Sequence, residues 1–378
     1  MIKLLYLSNL RLPTEKAYGI QIAKMCEAFA KQAEVELAYP SRKNPIGSDV
    51  FDYYSVNRIF KFKKLPAPDI YFSGALDKIA VGLKNFISAL ILAAYALSRE
   101  TEVIYSRDEL VLYLLSFLKK TLVFEAHRFS LKRARFYNRF KNKGIKLVAI
   151  SEAIKKDFVE AGFKSDKILV AHDGVDLELF DVDVKKDEAR HRLNIPRNAK
   201  IVMYTGHLFE WKGADVLLET ARHYQLSTIN YQLLFVFVGG MEHDIEKFKQ
   251  KAKGLNNVLI LGHKPNKEIP LFLKAADVLV LPNSASDKIS SYTSPLKLFE
   301  YMSSKRPIVA SKLPSITEIL NDRNSVLVKP DDSYELAEGL KKVLEDEKSS
   351  YGLASRAFED VQQYTWQKRA EKIINFIG

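Results

Sequence analysis

The chain has 378 residues, 47% of them hydrophobic and 28% charged, which supports a sizeable core and excludes disordered, collagen-like and disulfide-stapled classes. Domains of about 100–200 residues make two the expected number. The net charge is +12, and residues 1–180 carry +9 of it, so the front half is the one suited to an anionic partner, whether phosphate, membrane or nucleic acid.

The opening Met1–Ser8 runs too soon into Arg11-Leu12-Pro13 to read as a secretory signal. Short apolar strand patterns then alternate with helical ones. Strands are expected at Lys3–Leu7, Val35–Tyr39, Ile70–Ser73, Val103–Ser106, Leu122–Glu125, Lys146–Ile150 and Ile168–Ala171, with helices at Gly19–Lys31, Leu83–Ser98, Glu109–Lys119 and Glu152–Ala161. The single cysteine, Cys26, falls in the apolar run Ile22–Ala30; it reads as a core residue in a reducing compartment and excludes a cysteine zinc site. The longest apolar stretch, Phe86–Leu97, is shorter than the ~20 residues needed to span a bilayer, so a buried or interfacial helix and a cytoplasmic protein are expected.

The charged joint Asp176–Asn198 follows, and the alternation resumes with strands at Lys200–Thr205, Gln232–Val238, Val258–Leu261, Val278–Leu281, Pro307–Ala310 and Ser325–Val328. Two successive α/β sets imply two parallel sheets of Rossmann-like kind, facing each other across a cleft. The division is 1–178, 179–362 and a terminal helix over 363–378, whose apolar Trp366, Ala370, Ile373, Ile374 and Ile377 call for a surface to pack on, such as the first domain.

Ligands of such sheets bind beyond the carboxyl ends of the strands, so the residues just after strands carry the functional argument. Gly19, closing the loop Ser8–Gly19, either admits a phosphate to a helix start or makes a plain turn. No GxGxxG or GxxxxGK[ST] is present. His127 follows the fifth strand and is either structural or a proton-exchanging group. Residues 128–146 hold eight Lys/Arg and no acid, interleaved with Phe129, Leu131, Phe136, Tyr137 and Phe140. They read as a solvated basic helix, as a docking segment for an anionic membrane surface, or, further behind, as an RNA contact. No RNA-binding module accompanies the segment, so no nucleic acid is expected.

In the second half, Gly206 and His207 end a strand and Lys212 opens the next helix, placed to neutralise a diphosphate. Gly239 and Gly240 permit close approach of a ribose or base, and His263 with Lys264 borders the same place. Thr293-Ser294-Pro295 leads into Leu296-Lys297-Leu298-Phe299-Glu300, an anion site at a helix start with Glu300 either facing solvent or accepting from two ribose hydroxyls. Asp181-Val182-Asp183 has the form of a DxD metal motif but sits in the charged joint and reads as solvated linker; no metal is predicted.

Taken together, Ala149–Asp157, Ile168–Asp176, Asp277–Pro282 and, most specifically, Ser294-Pro-Leu-Lys-Leu-Phe-Glu300-Tyr-Met with Arg306–Ser311 resemble the GT-B glycosyltransferases of the large retaining family 4. The resemblance covers essentially the whole chain. It implies a metal-independent retaining hexosyltransferase that needs no cofactor and takes a UDP- or GDP-linked sugar as co-substrate. The acceptor it implies is a glycan or lipid-linked group in cell-surface polysaccharide or glycoconjugate synthesis, reached from the cytoplasmic face of the membrane. By the same resemblance Glu300 holds the donor ribose, Lys212 the diphosphate, Gly19 approaches the phosphates, His127 contacts the donor sugar, and the amides of Ser294–Leu298 complete the cradle. Two positions depart from the family pattern. Tyr292 stands where a Glu positions the sugar, with Asp287 nearby as a substitute, and His207 stands where an Arg pairs with the Lys. Two rival readings remain: a non-catalytic GT-B protein that binds nucleotide or glycan as a transferase's partner, and a sugar-nucleotide epimerase or hydrolase on the same scaffold.

Overall fold

A computed structural model of the chain describes residues 1–72, 74, 77–225, 232–286, 292 and 294–378. The chain divides into two compact units, Met1–His172 with Trp366–Gly378, and Asp173–Thr365. In sequence order the strands are β1 (Ile2–Leu7), β2 (Ala33–Pro40), β3 (Lys61–Leu65), β4 (Val103–Ser106), β5 (Thr121–Ala126), β6 (Lys146–Ala149), β7 (Ile168–Val170), β8 (Lys200–Thr205), β9 (Leu233–Val238), β10 (Val258–Gly262), β11 (Val278–Leu281), β12 (Ile308–Ser311) and β13 (Val326–Val328).

The first unit builds a sheet in the order β3-β2-β1-β4-β5-β6-β7, and the second one in the order β10-β9-β8-β11-β12-β13. All the pairings are parallel. Parallel sheets are covered on both faces, which is why these strands read as continuous apolar runs. In β8 the alternation still sorts the side chains: Ile201 and Met203 enter one core, Val202 and Tyr204 the other. In each sheet the order reverses beside the first strand, between β1 and β4 and between β8 and β11, so the crevice for a ligand opens at the carboxyl ends of those pairs.

Three expectations need correction. The run from Ile70 is not a strand over its described residues, and Ser73 lies outside them. The third strand is instead Lys61-Phe-Lys-Lys-Leu65, an edge strand whose lysines face water and so leave no apolar run to recognise. The joint 176–198 is strand-poor as expected, and Asp181–Asp183 is irregular with both acids exposed, but the joint is not mere linker throughout: it also forms the helices Leu177–Phe180 and Lys186–Arg192, and Phe180, Ala189 and Ile195 enter the second core. Buried Arg190 fixes it there, donating to Asp277 Oδ2 at 2.5 Å and to the carbonyls of Ala275, Arg197 and Ala199. Third, the apolar helix is longer than its apolar core suggests. It runs from Asp77 to Leu97, 21 residues, long and apolar enough by length and composition to cross a membrane. One of its faces, with Ala80, Ala89, Leu92, Ala93 and Ala96, is buried as the crossover between β3 and β4.

The terminal helix Trp366–Ile377 packs on the helix Ala17–Ala30 inside the first unit. Its buried face carries Trp366, Ala370, Ile373 and Ile377, and also Arg369. Cys26 is a buried free thiol of the helix Ala17–Ala30.

Candidate functional site

At the switch point of the second sheet, β8 ends and the chain turns through Gly206 (φ +125°) and His207 into a short turn, Glu210–Lys212, before the helix Ala214–Gln225. Gly213 (φ +73°) makes that turn possible. A Cβ at this residue would lie 1.6 Å from the Pro282 carbonyl oxygen, so only glycine lets the Lys212 turn rest on the loop after β11. The Ser284 N–H donates to the Trp211 carbonyl at 3.1 Å and ties the two loops together. The Lys212 ammonium sits 4.0 Å from the centre of the Trp211 ring, and burial pulls its pKa down to about 8.

The helix Leu296–Ser303 begins directly after Pro295 without a side-chain cap, and the Leu298 N–H donates to the Pro295 carbonyl at 2.9 Å. Tyr301 anchors it: its hydroxyl oxygen accepts from the Thr205 N–H at 2.8 Å and meets Thr205 Oγ1 at 3.1 Å, which fixes the helix against the end of β8. Ser294 Oγ accepts from the Asp173 N–H at 3.0 Å. One turn into the helix, the Glu300 carboxyl has the Asn266 amide 3.5 Å from Oε1. Desolvation pushes it up to about 7, against the opposing pull of Asn266 and Lys297. Lys297 is 7% exposed; its Nζ lies 3.8 Å from the centre of the Tyr204 ring and has no hydrogen-bond partner among the described residues.

Around this centre the loops are held close. A Cβ on Gly239 (φ +119°) would lie 2.4 Å from the Gly206 carbonyl oxygen, and Gly240 is crowded by Leu208 and Ile245. His207 stacks on Phe209 at 4.9 Å, and its carbonyl accepts from the Tyr204 hydroxyl at 2.5 Å. His263 is exposed after β10, and Tyr292 and Leu296 are half-buried. Thr293 and Asp287 lie outside the described residues. Asn283, fully buried after β11, has both side-chain polar atoms without a partner among the described residues. The fold thus brings Gly206, His207, Lys212, Gly239, Gly240, Lys297 and Glu300 to the strand ends of one sheet. Asp181 is tied to Lys305 at 2.8 Å and faces Lys274 at 3.8 Å.

The first unit has its own polar centre. Glu125, inside β5 and completely buried, accepts from Gln21 Nε2 at 2.5 Å, from the Tyr105 hydroxyl, and from Arg369 Nη1 at 3.4 Å. His127 Nε2 lies 2.5 Å from Glu125 Oε1. Burial works to raise the Glu125 pKa, but Arg369, His127 and Arg107 outweigh it and hold the carboxyl well below its ordinary value. Burial and Arg107 in turn pull His127 down to about 4. Gly19 lies two residues inside the helix Ala17–Ala30, with its N–H bonded to the Lys16 carbonyl at 2.9 Å. The Tyr54 hydroxyl occupies the place of its missing side chain, 1.9 Å from where a Cβ would be.

Several of these groups escape a search confined to strand ends. Tyr204 and Trp211, the aromatic seats of the two lysines, read as core residues; Asn266 and Asn283 carry no pattern at all. Glu125 does carry a signal, a lone acid inside an apolar strand, which demands a buried partner.

Residues 185–360 match the family described as glycosyl transferases group 1. Among curated relatives, D-inositol 3-phosphate glycosyltransferase 1 of Catenulispora acidiphila is 24% identical over 56% of this chain and 52% of its own length. The putative teichuronic acid biosynthesis glycosyltransferase TuaC of Bacillus subtilis is 24% identical over 60% and 54%. The chain spans about half the length of the curated relatives it matches. Two solved structures share the fold over nearly the whole chain. Anabaena HepE in complex with UDP and glucose has a TM-score of 0.74 and 20% identity, covering 99% of both chains. Sucrose-phosphate synthase from Thermosynechococcus elongatus has a TM-score of 0.77 and 18% identity, covering 99% of this chain and 98% of its own. The two parallel-sheet units share the GT-B fold of these solved structures, and residues 185–360, within the second unit, are those that match the glycosyl transferases group 1 family.

Proposed function

We propose that the protein is a retaining glycosyltransferase that moves a sugar from a nucleoside-diphosphate donor to a glycan or lipid-linked acceptor in cell-surface glycan synthesis. The observation that carries the reading is the presence of both Lys212 and Glu300 near the β8/β11 switch point of the unit whose residues 185–360 match the glycosyl transferases group 1 family. Lys212 and the first amides of the helix Leu296–Ser303 bind the diphosphate, and Glu300 accepts from the ribose hydroxyls. A UDP-linked donor is favoured over GDP, because the similar Anabaena structure holds UDP.

In the reaction proposed, the bond between the sugar's anomeric carbon and the diphosphate oxygen breaks, and the electron pair stays with the diphosphate. The acceptor hydroxyl oxygen bonds to that carbon from the face the diphosphate leaves, and its proton passes to the leaving group. Cationic side chains and backbone amides stabilise the charge that develops, so the step as drawn uses neither metal nor cofactor. His127 is assigned to a hydroxyl of the reacting sugar.

The same proposal places the protein peripherally on the cytoplasmic face of the membrane. Two surfaces support it. Within residues 128–146, Arg128, Lys132, Arg135 and Lys143 are exposed and Leu131 is an exposed apolar group, at 79%, although Tyr137 and Phe140 are buried and Arg139, Lys141 and Lys146 are bonded within the first unit. The helix Asp77–Leu97 exposes Ile79, Leu83, Phe86, Leu90 and Leu97, which the helical period aligns as one stripe.

A second reading, a non-catalytic nucleotide-binding partner, draws support from Tyr292 and His207 at the two positions that depart from the family pattern. Turnover decides between them: with the donor and acceptor identified by product formation, Lys212→Ala and Glu300→Ala each lower the rate by about 100-fold or more. Unchanged rates in both variants overturn the site; donor binding without turnover in the wild type establishes the second reading.

A further inference from the structure

Lys297 is the second residue of its helix, and three separate costs fall on its ammonium. It is 7% exposed with no hydrogen bond to Nζ and no carboxylate within ion-pair distance among the described residues. It stands at the positive end of the helix Leu296–Ser303, where a cation is disfavoured. It is also within electrostatic reach of the Lys212 ammonium, which repels it, while Glu300 only partly compensates. Buried charges in folded proteins are ordinarily paired, and an unpaired one costs several kcal/mol. Among the described residues the seat of Nζ is the Tyr204 ring, at 3.8 Å, a weak interaction compared with an ion pair.

The direction of the side chain shows what would lift these costs. Its end lies beside Gly206: a Cβ there would be 3.8 Å from Lys297 Cδ and 3.9 Å from Nζ. The ammonium therefore points into the strand-end space shared by the Gly206 turn, Lys212 and the start of its own helix. A dianion in that space satisfies all three demands at once, replacing repulsion from Lys212 with a shared counter-charge and complementing the helix dipole.

We propose that the Lys297 side chain is a second cation for the donor's diphosphate, acting with Lys212 at a site where His207 stands in place of an arginine. This rests on the donor site described under the proposed function and assigns a group within it. As the bond to the sugar breaks and the diphosphate gains charge, Lys297 then stabilises the leaving group directly, as a catalytic residue that touches substrate. Backbone amides of the same helix turn bind the anion through the main chain; the new element is the side chain itself.

The test uses Lys297→Met, which keeps the stem over Tyr204 and removes the charge, with inorganic pyrophosphate, UDP and uridine as probes in calorimetric titrations of the full chain. The expected result is a loss of about 10- to 100-fold in affinity for pyrophosphate and UDP, with uridine binding unchanged and the melting temperature of the ligand-free protein equal or higher. Lys297→Met combined with His207→Arg should recover part of the lost affinity. If Lys297 serves only as packing on Tyr204, the variant melts earlier but binds pyrophosphate and UDP as the wild type does, and that result overturns the proposal while leaving the donor site standing. A wild-type protein that binds neither pyrophosphate nor any nucleoside diphosphate overturns the donor site and this assignment together.

Discussion

His127 donates from Nε2 to Glu125 Oε1 at 2.5 Å, and the carboxylate that receives the proton is completely buried. Because Arg369 and Arg107 help keep Glu125 ionised, it acts as acceptor only, so the imidazole is neutral with its proton on Nε2. Nδ1 is then an acceptor, suited to a sugar hydroxyl and unsuited to a phosphate oxygen. Arg369 brings the terminal helix into the same network, so removing the charge of Glu125 takes away a carboxylate that faces a buried guanidinium. Glu125→Gln is expected to lower stability by about 3–5 kcal/mol in chemical denaturation. A change below 1 kcal/mol would show that the network is not coupled in this way.

Acid should weaken the first unit through the same residues. His127 titrates at about 4 when folded against about 6.5 when unfolded, so the unfolded chain takes up the proton first as pH falls. His172, pulled down to about 4 chiefly by burial, acts in the same sense. Glu125, with its folded pKa depressed, stabilises the fold above the ordinary carboxylate range and loses that contribution below it. The two histidines predict level stability above pH 7 and a decline from about pH 6.5 to 4, and Glu125 adds a further loss below the ordinary carboxylate range. The contribution of His127 over the full decline is about 3 kcal/mol. Denaturation midpoints at pH 7 and pH 5 check this, and His127→Asn should flatten the decline; an equal slope in wild type and variant contradicts it.

Nucleotide binding should depend on pH in both directions. Diphosphate binding needs a protonated Lys212, whose pKa of about 8 makes affinity fall as pH rises through that value, and Lys297 adds to the same limb. Ribose binding needs ionised Glu300, whose pKa of about 7 makes affinity fall as pH drops below it. Titrations between pH 6 and 9.5 should give a bell. Glu300→Gln should lose the acid limb, and Lys212→Ala should reduce the alkaline one. A flat profile in the wild type contradicts the assignment of both groups.

Gly213→Ala tests the geometry rather than the charge. The added carbon would meet the Pro282 carbonyl at 1.6 Å in a backbone conformation that L residues rarely adopt. The Lys212 turn must move away from the β11 loop. A stability loss of about 1–3 kcal/mol and weaker nucleotide binding are expected. Gly254→Ala is a control in the same unit: its φ is also positive, +86°, but no atom lies within 4 Å of a Cβ there. It should lose stability through the backbone alone and keep nucleotide affinity; equal losses of affinity in the two variants contradict the contact argument.

Membrane association is tested by sedimentation with anionic vesicles at low salt. Binding that weakens as salt rises, and that is lost in Leu83→Asp with Phe86→Asp, matches the exposed stripe of the helix Asp77–Leu97 and the basic segment. No binding of the wild type removes the peripheral assignment and leaves the donor site untouched.

Much of this architecture was legible because buried parallel strands are written as apolar runs. Val103–Ser106, Lys200–Thr205 and Val278–Leu281 stand at the residues their patterns predict. The edge strand Lys61–Leu65 was not legible, since one that faces water needs no apolar alternation. The joint was legible as charged and strand-poor, but not the burial of Arg190, which only Asp277 and three carbonyls enclosing it in space reveal. Within the candidate site, Lys212 and Glu300 stand out by residue type after a strand or at a helix start. The unpaired state of Lys297 depends on what lies around it in space, and no local pattern encodes that.

The most direct measurement is a calorimetric titration of the wild type and Glu300→Ala with UDP and with GDP. One nucleotide, UDP on this account, should bind the wild type, and the variant should lose about tenfold or more of that affinity. Binding of neither nucleotide, or equal binding by both proteins, would contradict a donor site built on Glu300.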